Sequence, residues 1–157
     1  MRSLAKFFLR FGRCSSGSVW VEAALIVPVT MSLMLGVVDF GWAFQTWASG
    51  NKSVRDAARY LGSLPLSVMT SGCPTWAVTN AKNLAVHGNI AGSGPPLVPG
   101  WQVSGGSNNN VSVDCSGLPA IAVTARFPYN PLFLASFMPL ASTVTLSAQH
   151  TEQSVGD

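Results

Sequence analysis

Charge is what this sequence has least of. Only 10% of its 157 residues are Asp, Glu, Lys or Arg, against roughly a quarter in an ordinary water-solvated domain, so part of the chain is not built for water. Near-neutral bases are equally scarce. His87 and His150 are the two histidines, and neither falls in a metal-ligand or nucleophile spacing. The serines form no G-x-S-x-G elbow, and there is no phosphate loop, dinucleotide fingerprint or zinc spacing. With no acid, base and nucleophile set in view, the expectation is a non-enzyme without metal or cofactor. A basic face is missing too. The net charge of +3 is concentrated in Arg2, Lys6, Arg10 and Arg13; beyond Gly17 the chain has five basic residues against six acidic ones. A surface that neutralises phosphates needs clustered Lys and Arg, so nucleic acid is not an expected partner.

Cysteine is sparse as well. Cys14 lies in the basic N-terminal segment, and Cys73 and Cys115 lie far downstream. This distribution reads as one reduced cytoplasmic thiol and one disulfide on an oxidising side; the alternative is two buried free thiols.

What the chain has in abundance is apolar sequence, 48% overall. Residues 1–17 read as a short basic leader. From Val19 to Trp47 the run is broken only by Glu22, Pro28, a few small polar residues, Asp39 and Gln45. As a helix it would be about 40 Å long, enough to cross the roughly 30 Å hydrocarbon core of a bilayer. A cleaved signal peptide is the competing reading, but its apolar region is normally only about 7–15 residues long. Four basic residues precede the run closely, and Lys52, Arg55 and Arg59 follow at a distance. The positive-inside bias therefore favours a cytoplasmic N-terminus, and the candidate disulfide favours an exported C-terminus. Helical spacing continues: Phe40, Phe44, Trp47, Val54, Ala57, Ala58 and Leu61 fall near one stripe, and Gly62 is a plausible stop. The expected element is one helix from about Ser18 to Leu61, bent at Pro28 and near Gly50.

The remainder predicts a small α+β domain. Pro74 to Val86 reads as a short helix with Gly88 at its end and Ala77, Ala81, Leu84 and Ala85 on its packing face. Period-two alternation marks strands at Val111–Cys115, Ile121–Phe127 and Val144–Ala148, and the turn formers of Gly105–Asn110 predict a hairpin with a strand near Trp101. Pro128 to Leu140 is apolar and too short to span a bilayer. It reads as a loop over the sheet, or as a contact surface for membrane or partner. The expected organisation is a leader (1–17), a transmembrane helix (18–47) and an exported α+β domain (48–157) that includes the helix extension to about residue 62.

The informative junction is Gly17-Ser18-Val19-Trp20-Val21-Glu22. Cutting after Gly17 would expose the Ser18 amine at the already positive end of a helix, and Glu22 lies one turn away to offset both. The alternative reading of Glu22 is a plain boundary marker of an ordinary anchor. The junction resembles that of type IV prepilins, which a dedicated peptidase cuts after such a Gly. More of the helix carries a narrower resemblance. Val21-Glu22-Ala23-Ala24-Leu25-Ile26-Val27-Pro28, Gly36-Val37-Val38-Asp39-Phe40-Gly41 and Ala57-Ala58-Arg59-Tyr60, with the closing stretch Thr143 to Glu152, are similar to TadE-like minor pseudopilins of tight-adherence (Flp) pilus systems. Ala23 stands where major Flp pilins place Tyr, which points to a pseudopilin.

The resemblance implies a pilin-like fold and a role in Flp pilus assembly. Its expected partners are a prepilin peptidase, other pilins and pseudopilins, the assembly machinery and the lipid bilayer. It also implies residence in a bacterial inner membrane, in a single pass with the C-terminal domain periplasmic, or incorporation in an extracellular pilus. Expected sites are the processing junction Gly17–Ser18, Glu22 for assembly, and Gly36, Asp39 and Gly41 for helix contacts. Asp39 reads as an acid at water level or as a contact with a partner helix. The alternative function is a membrane-anchored exported binding module with no filament role.

Overall fold

The computed structural model describes residues 16–69, 72–133 and 144–154. Helix α1 runs Ser16–Gly62, a 3-10 turn covers Leu66–Val68, and α2 covers Thr75–His87. Three strands follow: β1 (Asn110–Asp114), β2 (Ala120–Tyr129) and β3 (Val144–Gln153). They form one antiparallel sheet in the order β1-β2-β3, with Val111 opposite Ala125 and Ala125 opposite Ala148. The chain is thus α+β: a long N-terminal apolar helix, a short helix and a three-stranded antiparallel sheet. It divides into two compact units, Met1–Val38 and Asp39–Asp157. The division falls before Trp47, where the sequence pattern ends the span.

In the second unit, the core follows from the periodicities. Strand β2 buries Ile121, Val123, Ala125, Phe127 and Tyr129 on one face, as its alternation requires. Helix α1 adds Val54, Ala57, Ala58 and Leu61, and α2 adds Ala77, Ala81, Ala85 and Val86 to the same buried cluster. Alanine fills five of these eight helix positions, so the helices bring little side chain to the core. Leu84, expected on the packing face of α2, is half-buried, and Val86 takes its place.

Helix α2 begins and ends as its residues dictate. Pro74 stands at the N-cap with φ −60° and accepts the first helical bond from Val78 N–H at 3.0 Å. Gly88 closes it in the left-handed region, φ 73°, and its N–H donates to Leu84 O at 2.9 Å. A disulfide joins Cys73, just before α2, to Cys115, just after β1, with Cα atoms 5.8 Å apart. It fastens the helix to the sheet.

Two expectations differ from the structure. The stripe from Phe40 to Leu61 divides: Val54, Ala57, Ala58 and Leu61 are buried, whereas Phe40, Phe44 and Trp47 are exposed. The helix runs on through Gly50, which is buried where its missing side chain makes room for the Phe127 ring. The strand near Trp101 shrinks to a single bridge, Ser104 to Asn110. There the Asn109 side chain does the work of a strand partner, accepting from Gln102 N–H at 2.9 Å and donating to Gly100 O at 2.8 Å.

Candidate functional site

The site is built along α1. From Val19 to Val38 the helix offers a stretch of about 20 residues, the length that about 30 Å of hydrocarbon requires. Its apolar side chains are open to the surroundings, Trp20 being 78% exposed, and none belongs to the buried core. The most apolar window of the described helix has a mean hydropathy of 2.1 and no buried share. An apolar surface of this extent marks an interaction with membrane or protein.

The polar groups in this stretch are handled as a bilayer demands. Thr30 Oγ1 donates to Ile26 O and Val27 O at 3.0 Å, and Ser32 Oγ donates to Val29 O at 2.8 Å. Each hydroxyl is satisfied within the helix, which is the condition for burying it in lipid. These acceptors flank Pro28, which has no N–H of its own to give. Glu22 is the one charged residue from Val19 to Val38, and it is exposed. Gly17 and Ser18 lie within α1, in its first turn. A Cβ built at Gly36 or at Gly41 would meet nothing within 4 Å, so no packing inside the described chain calls for glycine there.

Asp39 has its partners within its own chain, and only 4% of it is exposed. Its Oδ1 accepts from Leu132 N–H at 2.9 Å and from Phe133 N–H at 3.1 Å, and its Oδ2 accepts from Phe133 N–H at 3.1 Å. The Tyr129 hydroxyl donates to the Asp39 backbone carbonyl at 2.7 Å. A carboxylate in an apolar run thus caps the backbone that leaves β2, within its own chain. Burial first, and the Asp39 charge second, push the Tyr129 phenol above its ordinary value.

Sequence reasoning missed Tyr129, Leu132 and Phe133 as partners of Asp39. The available signal was the acid itself, since a carboxylate among apolar residues must find donors. Its partners lie some ninety residues away and no local spacing points to them. Leu134 to Leu140, the rest of the apolar segment after β2, lies outside the described residues.

Trp47 Nε1 donates to Ser147 O at 3.2 Å, and Ser154 Oγ donates to Leu64 O at 3.2 Å. With Asp39 against the end of β2, these bonds lay the sheet alongside the second part of α1. His87 Nδ1 lies 2.9 Å from Gly94 O and pins the loop after α2. Among the described residues no group of three or more His, Cys, Asp or Glu is placed to hold a metal ion.

Residues 17–59 match the family model described as TadE-like protein. The matched segment takes in the junction and most of the helix residues that carry the resemblance seen in the sequence; Tyr60 and the closing stretch Thr143 to Glu152 lie outside it, as do α2 and the rest of the sheet. No curated protein and no solved structure matches the chain. The family match implies a part in tight-adherence pilus systems and association with their machinery, and the one long apolar helix among the described residues suggests membrane anchoring.

Proposed function

We propose that this chain is a minor pilin-like subunit, a pseudopilin, acting in tight-adherence pilus assembly. On this reading α1 holds it in a bacterial inner membrane with its N-terminus cytoplasmic and the unit from Asp39 onward periplasmic. The Cys73–Cys115 disulfide suits that oxidising side.

A prepilin peptidase hydrolyses the Gly17–Ser18 peptide bond. Water adds across it, leaving the Gly17 carboxylate on the leader and an ammonium on Ser18. That ammonium sits at the positive end of the helix dipole, where it is unfavourable. Glu22 stands four residues on and faces the same side. A carboxylate inside a bilayer costs at least about 2.5–3.5 kcal/mol on insertion scales, so Glu22 seeks a cation. Its own Ser18 amine, or that of a neighbouring subunit, supplies one, and the second choice draws subunits together in register. Gly36 and Gly41 leave room for a neighbouring helix to approach.

The observation that carries the proposal is the exposed apolar helix from Val19 to Val38 with Glu22 as its only charge, inside the segment that the family model matches. Intact mass of the protein purified from membranes of cells containing the peptidase tests it. Residues 1–17 should be lost, and Gly17→Leu should leave the leader attached. A full-length mature protein would instead support the membrane-anchored binding module. Glu22→Ala should insert into the membrane normally and fail in pilus assembly; an equal loss of both would reduce Glu22 to a boundary marker.

A further inference from the structure

We infer that the end of the exported unit at Leu132 and Phe133, clamped to α1 by Asp39, lies in the lipid interface, so that this unit docks on the bilayer that holds its own helix. The inference rests on the reading of α1 as a membrane span.

Depth is the first argument. Asp39 directly follows the first 20 residues of the apolar run that continues to Trp47; those 20 alone are about as long as the hydrocarbon core is thick, and a span places an acid at its edge rather than within it. Asp39 therefore stands where the hydrocarbon ends. The amides of Leu132 and Phe133 are within 3.1 Å of its carboxylate oxygens, and the Tyr129 hydroxyl is 2.7 Å from its carbonyl. Backbone held at hydrogen-bond distance from Asp39 shares its depth.

Composition is the second argument. At that depth Leu132 is 52% exposed, Phe133 39% and Phe40 74%, with Trp42 also exposed one turn further on. The segments that meet there, residues 40–51, 127–133 and 144–149, contain no Asp, Glu, Lys or Arg. The carboxylate that is present is buried and bonded, so it offers no charge to the surface. Exposed aromatic and aliphatic side chains without charge, at the level where headgroups meet acyl chains, fit the interface of a bilayer. A second copy of the chain is less suited, because this collar continues the lipid-facing surface of α1 without a break in sequence.

The consequence is mechanical. Asp39 and Tyr129 fix the β2 end of the unit at one height, and any step that draws α1 out of the membrane must also lift Leu132 and Phe133 from the lipid.

The test is spin-label accessibility on the full chain reconstituted in phosphatidylethanolamine–phosphatidylglycerol vesicles, in a Cys14→Ser background with the disulfide intact. Labels at Val29→Cys, Phe133→Cys and Asn108→Cys are compared for collision with oxygen, which enters lipid, and with a nickel chelate, which does not. The expected result is loss of nickel-chelate collisions at 29 and 133 but not at 108, unchanged on dilution with lipid. Adding Asp39→Leu should restore them at 133 alone. If 29 is protected and 133 is as open as 108, the docking is wrong and the span survives; if both are open, the span itself fails. Protection at 133 that vanishes on dilution with lipid assigns the surface to a second copy and overturns the inference.

Discussion

Replacing Gly50 with alanine puts a favourable local effect against an unfavourable tertiary one. In an exposed helix interior, Gly→Ala gains about 0.8–1 kcal/mol, because glycine has more backbone freedom to lose. Here a Cβ would overlap the Phe127 ring, with three of its carbons in the way. A ring at the end of a side chain can sometimes turn aside, but Phe127 is fully buried and its ring centroid lies 5.0 Å from that of Trp101. To give way, the far edge of the ring must move within the core rather than into solvent. Overpacking a core costs about 1–3 kcal/mol, and an overlap with three carbons of one buried ring belongs at the upper end of that range.

Setting the propensity gain against that cost leaves a net destabilisation of about 2 kcal/mol. For a unit of this size it corresponds to a fall in melting temperature of roughly 6–12 °C. The assay is the near-ultraviolet circular dichroism of the full chain in detergent micelles, followed through thermal unfolding. Phe127→Leu in the Gly50→Ala background should recover part of the loss by opening space beside the new methyl. A melting temperature that is unchanged or higher in Gly50→Ala would refute the reasoning, since it would mean that the ring is free to move and that Gly50 is not required by packing.

Three further outcomes are expected. Raising the pH should weaken the unit through Tyr129: its folded value is pushed above 10.0 by burial and by Asp39, so its contribution is full below about pH 10 and is lost as pH climbs through the folded value. Melting temperature should then fall more steeply above that pH in the wild type than in Tyr129→Phe. Reducing Cys73–Cys115, which closes 42 residues, should cost about 4 kcal/mol on the loop-entropy model, seen as an earlier thermal transition in reductant. Gly41→Ala, whose Cβ meets nothing within 4 Å, should leave the melting temperature unchanged or slightly raised while pilus counts fall.

What could be read from the sequence was whatever has a local period. The long apolar helix, the proline-to-glycine span of α2 and the alternation of β2 all announce themselves within a dozen residues, and the structure follows them closely. What could not be read depends on residues far apart. Gly50 looks like a weak point in a helix until Phe127 is seen against it, and nothing near Asp39 in the sequence announces the amides of Leu132 and Phe133 on its carboxylate. The strand expected near Trp101 failed for another reason: one asparagine side chain, Asn109, imitates backbone partners, and a propensity pattern cannot register that.

These two kinds of information separate along α1. Up to Val38 the helix takes no tertiary partner, and its hydroxyls bond to its own carbonyls, as the proposed membrane setting requires. From Asp39 onward it is helical in company, with Val54, Ala57, Ala58 and Leu61 fully buried in the core of the second unit. Substitutions in the two stretches should therefore have opposite signatures. Changes at Glu22 or Gly36 alter what the helix meets outside the chain and should affect assembly with little change in melting temperature. Changes at Ala57 or Ala58 to larger residues should lower the melting temperature first, and affect assembly only through loss of the folded unit.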